Sequence, residues 1–279
     1  MTLQEAAIST LPHVEGVLNY LKPTKEKPRT YAFEQPGGTI NPTHEPHTVC
    51  IHDMRPVAAQ MSLDREGFAL VSHRTAVADL TDEEQLRRIY YPEAERLVAQ
   101  LTGGARVVIF DHTVRRRVAG RADREPGVPR QPSTRIHGDY SVKSGPQRVR
   151  DFMGEEAETL LKRRFAIVNV WRPIRGPLRD APLALCDAQS VAPGDLVAAD
   201  LVYRDRTGEN YLMTYRPDHR WFYVPEMCAD EVLLLKCYDS AEDGRTRFVP
   251  HTAFIDPTAP ADALPRESIE LRTFVFYAD

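Results

Sequence analysis

Residues 165–174 read FAIVNVWRPI, and almost every side chain in this run is apolar, β-branched or aromatic. The run has no helical period, and its length is that of a buried strand. Similar runs recur along the chain, with turn residues between them at intervals of about ten residues. They are ARVVIFDHTV (105–114), DLVAADLVYR (195–204), NYLMTYR (210–216), RWFYVP (220–225), EVLLLKCYDS (231–240), RFVPHTAFID (247–256) and SIELRTFVFY (268–277). This pattern predicts an antiparallel sandwich or barrel.

Two other segments have helical patterns. In TDEEQLRRIYYPEAERLVAQLTG (81–103) apolar residues recur at helical intervals, the first four residues have capping-box spacing, and Gly103 provides a stop. Pro92 is expected to kink or restart this helix. A shorter amphipathic segment, GEEAETLLKRRF (154–165), has acidic residues early and basic residues late, as the helix dipole favours.

The fold class that fits both patterns is mainly β with flanking helices, arranged as a double-stranded β-helix, the cupin-like jelly roll. A chain of 279 residues can form one such domain. We expect a single domain over residues 1–279, with a mixed N-terminal and helical part over about 1–105 and the jelly-roll core over about 106–279. The first sixty or so residues, rich in Pro, Thr and His, are expected to wrap the barrel or cover its mouth.

Composition excludes several classes of protein. Hydrophobic residues make up 42% of the chain, charged residues 27%, and the net charge is −4. These values are typical of globular proteins, and the acidic balance does not favour binding to nucleic acid. No apolar stretch approaches the roughly eighteen residues of a membrane-spanning helix, and no secretory signal is visible. We expect a cytoplasmic protein, and a monomer and a homodimer are both compatible with the composition.

Cysteine spacing and charge runs give little direct evidence of function. Four cysteines without CxxC spacing lie in apolar segments and are expected to be reduced and buried: Cys50, Cys186, Cys228 and Cys237. One short run of like charge, residues 115–117, consists of three arginines. It is most simply an exposed strand or loop edge, and contact with an acidic ligand is the alternative.

The sharpest motif is IHGDYS, residues 136–141. On a strand, residues i and i+2 point to the same face, so His137 and Asp139 can present an imidazole and a carboxylate to one metal ion. His251 is the best third ligand, because its strand late in the chain can lie beside an early strand in a jelly roll. Two histidines and one carboxylate leave three open positions, as in non-haem Fe(II) oxygenases. The simpler alternative is a surface histidine beside a solvated aspartate.

A second motif begins fifteen residues after His251. Arg266 and Ser268 share one strand face, where a guanidinium and a hydroxyl can hold a carboxylate with parallel hydrogen bonds. They suit the distal carboxylate of 2-oxoglutarate. A salt bridge at the strand end is the simpler role for Arg266, and Arg272 is the competing carboxylate anchor.

Several of these strings occur together, in this order, in one known family. They are FDHTVRRR (110–117), IHGDYS (136–141), NVWRPIRGPLRDAPLALCDAQSV (169–191), LLLKCYDS (233–240), and PHTAFIDP followed by PRESIELRTFVFY (250–277). The chain resembles the gibberellin-desaturase-like and cephamycin-methoxylase-subunit-like oxygenases of fungal and bacterial secondary metabolism. The resemblance runs from about residue 110 to the C-terminus, and the helical segment just upstream also fits.

The resemblance implies a distorted jelly roll that binds Fe(II) and 2-oxoglutarate and uses O2 to oxidise a small natural product by hydroxylation, desaturation or endoperoxide formation. His137 and Asp139 match the family's H-x-D motif, His251 matches its distal histidine, and Arg266 with Ser268 match its R-x-S motif. Other members often have a different residue at the central position of H-x-D, where this chain has glycine, but the ligand spacing is intact.

Further residues are weighed against simpler roles. Asn169 and Arg172 are secondary candidates for cofactor binding, although an ion pair between Arg172 and Asp187 is equally compatible with the sequence. His112 is expected to have a packing or supporting role near the metal rather than to bind it. The aromatic stretch MTYRPDHRWFY (213–223) can line a substrate pocket but is expected to pack in the core, and the N-terminal histidines His44, His47 and His52 are expected to lie in a loop.

Two other functions compete with the oxygenase. A non-catalytic jelly roll that binds a ligand and assists a partner enzyme would not need an intact metal-binding triad. A cupin-like metalloenzyme that does not use 2-oxoglutarate would not need Arg266.

Overall fold

The structure is a computed structural model and describes residues 8–31, 33, 42–121 and 129–278. Two β-sheets form its framework, one of nine strands in the order β1-β3-β11-β8-β13-β6-β10-β9-β2 and one of five in the order β4-β12-β7-β14-β5. The strands are β1 (His13–Leu21), β2 (Arg29–Tyr31), β3 (His44–Asp53), β4 (Phe68–Ser72), β5 (Arg106–Arg116), β6 (His137–Gly138), β7 (Phe165–Pro173), β8 (Leu183–Cys186), β9 (Leu196–Val202), β10 (Thr207–Met213), β11 (Trp221–Tyr223), β12 (Glu231–Asp239), β13 (His251–Ala253) and β14 (Glu267–Phe276). All eight runs predicted as strands contain one.

The five-stranded sheet separates two apolar layers. Every residue of β7 is buried, and alternate side chains along it point to opposite faces. Ile167 and Trp171 face the interior, where they join Phe222 of the larger sheet in one core cluster. Val168 and Val170 belong to a second cluster, together with residues of the helical segment. The nearly unbroken apolar character of residues 165–173 therefore reflects burial on both faces of the strand.

The described part of the first sixty residues contributes strands to the framework. β1 pairs with β3 over nine residues, and β3 pairs in parallel with β11, so these two segments belong to the larger sheet, and a wrap or cover of the barrel mouth by the region as a whole stays a prediction. The predicted loop around His44, His47 and His52 is strand β3. Two of these rings contact aromatic neighbours: His47 stacks on Tyr215 at 3.8 Å between ring centroids, and His52 lies 5.8 Å from Phe222.

The helical segment 81–103 packs outside the smaller sheet, whereas the helices that follow β6 join the first core cluster through Val149 and Ala157. The helices are α1 (Glu83–Gln85), a π-helical turn (Leu86–Tyr90), α2 (Tyr91–Thr102), α3 (Ser144–Met153) and α4 (Ala157–Leu160). Asp82, not Thr81, caps α1 and accepts hydrogen bonds from the backbone of Glu84 and Gln85. The π-helical turn directly precedes α2, and Pro92 is the second residue of α2. The proline therefore lies where the helix restarts, as expected. Gly103 ends α2 in the left-handed conformation.

The remaining expectations are met in part. The end of the aromatic stretch packs in the core: Trp221 and Phe222 are fully buried, and the Trp221 indole donates to the Tyr20 hydroxyl at 2.7 Å. All four cysteines are free, but only Cys186 and Cys237 are buried, while the other two are exposed. Within the described residues no helix is long and apolar enough to cross a membrane.

Gly67 and Gly103 provide a test of core packing. Both have positive φ, at 92° and 70°, but a methyl group on Gly67 would lie 2.1 Å from a side-chain carbon of Val249, while one on Gly103 would meet nothing within 4 Å. Gly103→Ala should cost only backbone strain, about 1–2 kcal/mol. Gly67→Ala should cost about 1–3 kcal/mol more, because the core is also overpacked. Urea unfolding of both variants measures the difference, and equal losses would contradict this packing.

Candidate metal centre

Strand pairing brings the predicted metal ligands together. β6 and β13 are antiparallel neighbours, and His251 lies directly opposite His137 in their register, with 4.6 Å between the ring centroids. Asp139 follows immediately after β6. One ligand atom from each of the three residues lies within 4.8 Å of the others. The spacing that predicted a common face for His137 and Asp139 is thus realised at the end of a very short strand.

Backbone carbonyls orient both imidazoles. His137 Nδ1 donates to the carbonyl of Arg135 at 2.8 Å, and His251 Nδ1 donates to the carbonyl of Val249 at 3.0 Å. Since a carbonyl can only accept, Nδ1 is the donating nitrogen in each of these bonds, and Nε2 is the nitrogen left to face a metal ion. The two Nε2 atoms lie 3.5 and 3.7 Å from the same oxygen, Oδ1 of Asp139. A metal-binding histidine usually donates from its other ring nitrogen to a carbonyl or carboxylate, as Nδ1 does in both residues.

The protonation states also suit a metal. Burial, together with the neighbouring His251, lowers the pKa of His137 to about 3, so its imidazole is neutral at physiological pH. Burial acts to raise the pKa of Asp139, but His251 and Arg272 outweigh it, and the pKa of this carboxyl lies well below its ordinary value. A neutral imidazole and an ionised carboxylate are the forms that bind metal ions.

The second oxygen of Asp139 is held from behind. Asn169 on β7 donates to Oδ2 at 2.7 Å, and Arg272 Nε lies 3.8 Å from the same oxygen. Oδ1 is therefore the oxygen that faces the two imidazoles. The sequence identified Asn169 as a secondary candidate for cofactor binding, and the structure places its amide on the metal-binding carboxylate.

Arg266 and Ser268 form a buried polar pair beside this centre. Their exposed fractions are 2% and 1%. Arg266 Nε donates to Ser268 Oγ at 3.0 Å, Nη1 donates to the carbonyl of Ala181 at 3.0 Å, and the guanidinium lies 4.9 Å from the ring centre of Trp171. Within the described residues this guanidinium forms no salt bridge with a carboxylate. A cavity of about 30 Å³ is lined by Arg266 and all three predicted metal ligands.

Arg272, the competing anchor, is already engaged. It donates to Asp111 at 2.9 Å, to Thr113 at 3.0 Å and to Glu270. Its guanidinium is thus neutralised by two carboxylates besides its approach to Asp139. Burial tends to lower its pKa, but Glu270 and Asp139 raise it well above the ordinary value.

Two other sequence candidates lie away from the centre. Arg172 is fully buried but points to the opposite face of β7 from Asn169, where it donates to the carbonyls of His73 and Ala229. Its assignment to cofactor binding is corrected accordingly, and the alternative ion pair with Asp187 is absent too, because Asp187 binds Arg220. His112 Nδ1 lies 2.7 Å from the Tyr91 hydroxyl and is not part of the metal-binding group.

A second, larger cavity of about 890 Å³ opens onto His137 and Asp139. Residues of β5, α3 and the β9–β10 turn line it, among them Arg115, Arg148 and Arg206. The sequence kept residues 115–117 only as an alternative contact for an acidic ligand. It missed Arg148 because α3, which begins at Ser144 without a side-chain cap, was not predicted as a helix.

Comparison with known proteins agrees with this geometry. Residues 18–276 match the oxidoreductase/YMDC permease-like domain family. The hydroxylase/desaturase efuI of Hormonema carpetanum is 31% identical over 96% of this chain and 96% of its own length. The Fe(II)/2-oxoglutarate-dependent dioxygenase nvfI of Aspergillus novofumigatus is 32% identical over 91% of this chain and 92% of its own.

A solved structure of the iron and alpha-ketoglutarate-dependent endoperoxidase NvfI superimposes with a TM-score of 0.85, 29% identity, and coverage of 96% of this chain and 99% of that one. The chain belongs to this oxygenase family. The jelly-roll fold and the oxidoreductase class predicted from the sequence are therefore confirmed.

The hydrogen bond from Asn169 to Asp139 leads to a prediction about Fe(II) affinity, although Asn169 itself is not one of the predicted ligands. Asn169→Ala removes the hydrogen bond that orients the carboxylate, so Fe(II) affinity should fall about tenfold or more. His112→Ala is the matched control and should leave the affinity unchanged. Anaerobic calorimetric titration with Fe(II) measures both variants. Equal affinity of wild type and Asn169→Ala would show that the amide does not orient the ligand.

Proposed function

We propose that the chain binds Fe(II) through His137, Asp139 and His251, binds 2-oxoglutarate through Arg266 and Ser268, and oxidises a small organic natural product. One observation carries the proposal: two imidazole nitrogens and a carboxylate oxygen converge beside a buried guanidinium that lacks a carboxylate partner among the described residues. The names of the relatives support the same chemistry.

The donor set fits Fe(II). Two imidazole nitrogens and one carboxylate oxygen on one side of an ion leave three adjacent positions open. A cavity of about 30 Å³ adjoins this group and is lined by the three ligands and by Arg266. Asn169 and Arg272 hold Oδ2 of Asp139, so Oδ1 is directed at the metal position.

The buried arginine fits the distal carboxylate of 2-oxoglutarate. Burial, with Arg115 nearby, lowers the pKa of Arg266 to about 9, and a buried cation is costly without an anionic partner. A carboxylate at this point would complete an ion pair, with the Ser268 hydroxyl adding a hydrogen bond. Arg272 is the poorer anchor because Asp111 and Glu270 already occupy its guanidinium.

When bound, Fe(II) and 2-oxoglutarate supply an O2-dependent oxidation that releases succinate and CO2. The chain's own part is to position both molecules and to exclude water, for which Trp171 and Leu183 provide apolar walls. Hydroxylation, desaturation and endoperoxide formation diverge after one hydrogen atom leaves the substrate. Residues that hold the substrate in the larger cavity therefore select among them.

The proposal includes the wider setting predicted from the sequence. It comprises one domain over residues 1–279, acting in the cytoplasm on a small molecule and not on nucleic acid or a membrane, as a monomer or a homodimer. A net charge of −4 supports the absence of a nucleic-acid partner. Participation of β1, β3 and β14 in the two sheets supports a single domain.

Anaerobic titration with Fe(II) and then 2-oxoglutarate tests the two sites separately. The wild type should develop the weak visible charge-transfer band of the chelate, and His137→Ala should lose it. Arg266→Gln should raise the half-saturating 2-oxoglutarate concentration at least about thirtyfold, since a buried charge pair loses one partner. Ser268→Ala should raise it about three- to tenfold, because one hydrogen bond to a charged group is lost.

Arg272→Gln is the discriminating variant. It should weaken Fe(II) binding through Asp139 but leave the 2-oxoglutarate requirement unchanged once iron is saturating. A 2-oxoglutarate requirement that rises in Arg272→Gln and not in Arg266→Gln would exchange the roles of the two arginines. A wild type that binds no Fe(II) would favour the accessory ligand-binding role instead.

A further inference from the structure

We propose that the substrate is an organic acid with an apolar body, and that arginines on the wall of the larger cavity bind its anionic group. This inference rests on the proposed function, because it concerns the substrate that the metal centre oxidises. It names a class of substrate by charge and shape.

The charge of the cavity wall is opposite in sign to that of the chain. The chain as a whole has a net charge of −4, yet the described residues that line the cavity include eight arginines and only two aspartates, Asp111 and Asp139. Asp139 belongs to the metal centre, and Asp111 is bound to Arg272. A cleft with one sign of charge and low-dielectric walls concentrates ligands of the opposite charge.

Nearby acids reduce this excess without removing it. Arg117 pairs with Asp180 at 2.7 Å, and Arg148 pairs with Asp151 at 3.3 Å. Among the described residues, the eight lining arginines still outnumber the five acids that line the cavity or form these ion pairs, which are Asp111, Asp139, Asp151, Asp180 and Glu270.

Strand alternation directs part of the basic tract inward. Arg115 and Arg117, two residues apart at the end of β5, line the cavity, whereas Arg116 between them points outward and pairs with Glu267. Arg116 therefore lies on the exposed edge of the strand, while Arg115 and Arg117 form part of the cavity wall. The alternative that the sequence left open, contact with an acidic ligand, has a structural basis here.

Two further arginines come from separate elements. Arg148 lies on α3, with Phe152 one turn later on the same face, and both line the cavity. Arg206 lies in the β9–β10 turn over the ring of Tyr203, 4.5 Å from its centre. Within the described residues Arg206 forms no salt bridge. Because different elements contribute these guanidinium groups, the positive wall extends around the cavity.

The apolar part of the wall sets the other half of the specificity. Phe110 stacks on Phe274 with 4.0 Å between ring centroids and contacts Phe152, whose exposed fraction is 49%. Leu201 and Leu212 line the same cavity. A volume of about 890 Å³ accommodates a drug-sized molecule, so an apolar skeleton with one acidic group matches both kinds of lining.

2-Oxoglutarate does not explain this wall. Its proposed anchor, Arg266, lines the small cavity and not the large one. Arg115 lines both cavities, and for that reason it is not used in the test. Arg148 and Arg206 line only the large cavity.

A pair of fluorescent probes that differ by one anionic group tests the proposal. 8-Anilinonaphthalene-1-sulfonate carries a sulfonate, and N-phenyl-1-naphthylamine is the same skeleton without it. Both are titrated anaerobically into protein already saturated with Fe(II) and 2-oxoglutarate. The chelate band in the same sample reports the proposed function independently of probe binding.

Matched arginines supply the controls. Arg148→Gln is compared with Arg150→Gln on the same helix, where Arg150 pairs with Glu158 outside the cavity. Arg206→Gln is compared with Arg204→Gln in the same turn, where Arg204 lies over Phe33. Each pair removes the same charge from the same element, once inside the cavity lining and once outside it.

The wild type should bind the anionic probe more tightly than the neutral one. Arg148→Gln and Arg206→Gln should each weaken the anionic probe about three- to tenfold and change the neutral probe less than about twofold. The two control variants should match the wild type. Added NaCl should weaken the anionic probe selectively, because salt screens the wall.

Three results would overturn the proposal. Equal affinity of the two probes in the wild type would remove the preference for an acid. Equal losses in cavity and control variants would reduce the effect to overall charge. Competitive displacement of the anionic probe by added 2-oxoglutarate would assign the wall to the co-substrate. A missing chelate band would instead point to failure of the proposed iron and 2-oxoglutarate binding.

Discussion

The pairing of two very short strands is the constraint on which the site depends. β6 has two residues and β13 has three, and their register places His137 opposite His251. Opposed residues of an antiparallel pair lie on one face, with Cβ atoms about 4.5–5.5 Å apart. A slip by one residue would turn one imidazole to the other face. The candidate metal centre therefore forms only if these two strands pair in this register.

So few ladder bonds cannot hold this register alone, and hydrogen bonds from outside the pair support it. Ile136 N donates to the carbonyl of Asn19 on β1 at 3.1 Å, and Ala253 N donates to the carbonyl of Ser133 at 2.7 Å. The pair is also enclosed, because β6 lies between β13 and β10 while β13 lies between β6 and β8. The N-terminal strand β1 thus helps to fix a centre whose ligands lie more than a hundred residues further along the chain.

Prediction from the sequence succeeded where one periodicity decides the structure. Strand runs were found because burial on both faces leaves an unbroken apolar signal, as in β7. The H-x-D spacing and the R-x-S spacing were informative because alternation holds over two residues.

Prediction failed where tertiary packing overrides local signals. β3 was read as a loop, since His44–Asp53 contains a proline and three histidines, and its strand conformation depends on pairing with β1 and β11. No local pattern contains the contact of Asn169 with Asp139, which are thirty residues apart.

One strand, β14 with the residue before it, organises the charges around the metal centre. Arg266, Ser268, Glu270 and Arg272 follow one another at every second position, so all four project from the same face. Glu270 binds Arg272, which directs that arginine to Asp111 and toward Asp139, while the Arg266 guanidinium donates, within the described residues, to the Ser268 hydroxyl and the Ala181 carbonyl. Two arginines six residues apart on one face therefore have different charge environments. The paired arginine supports a metal ligand, and the unpaired one is suited to an incoming anion.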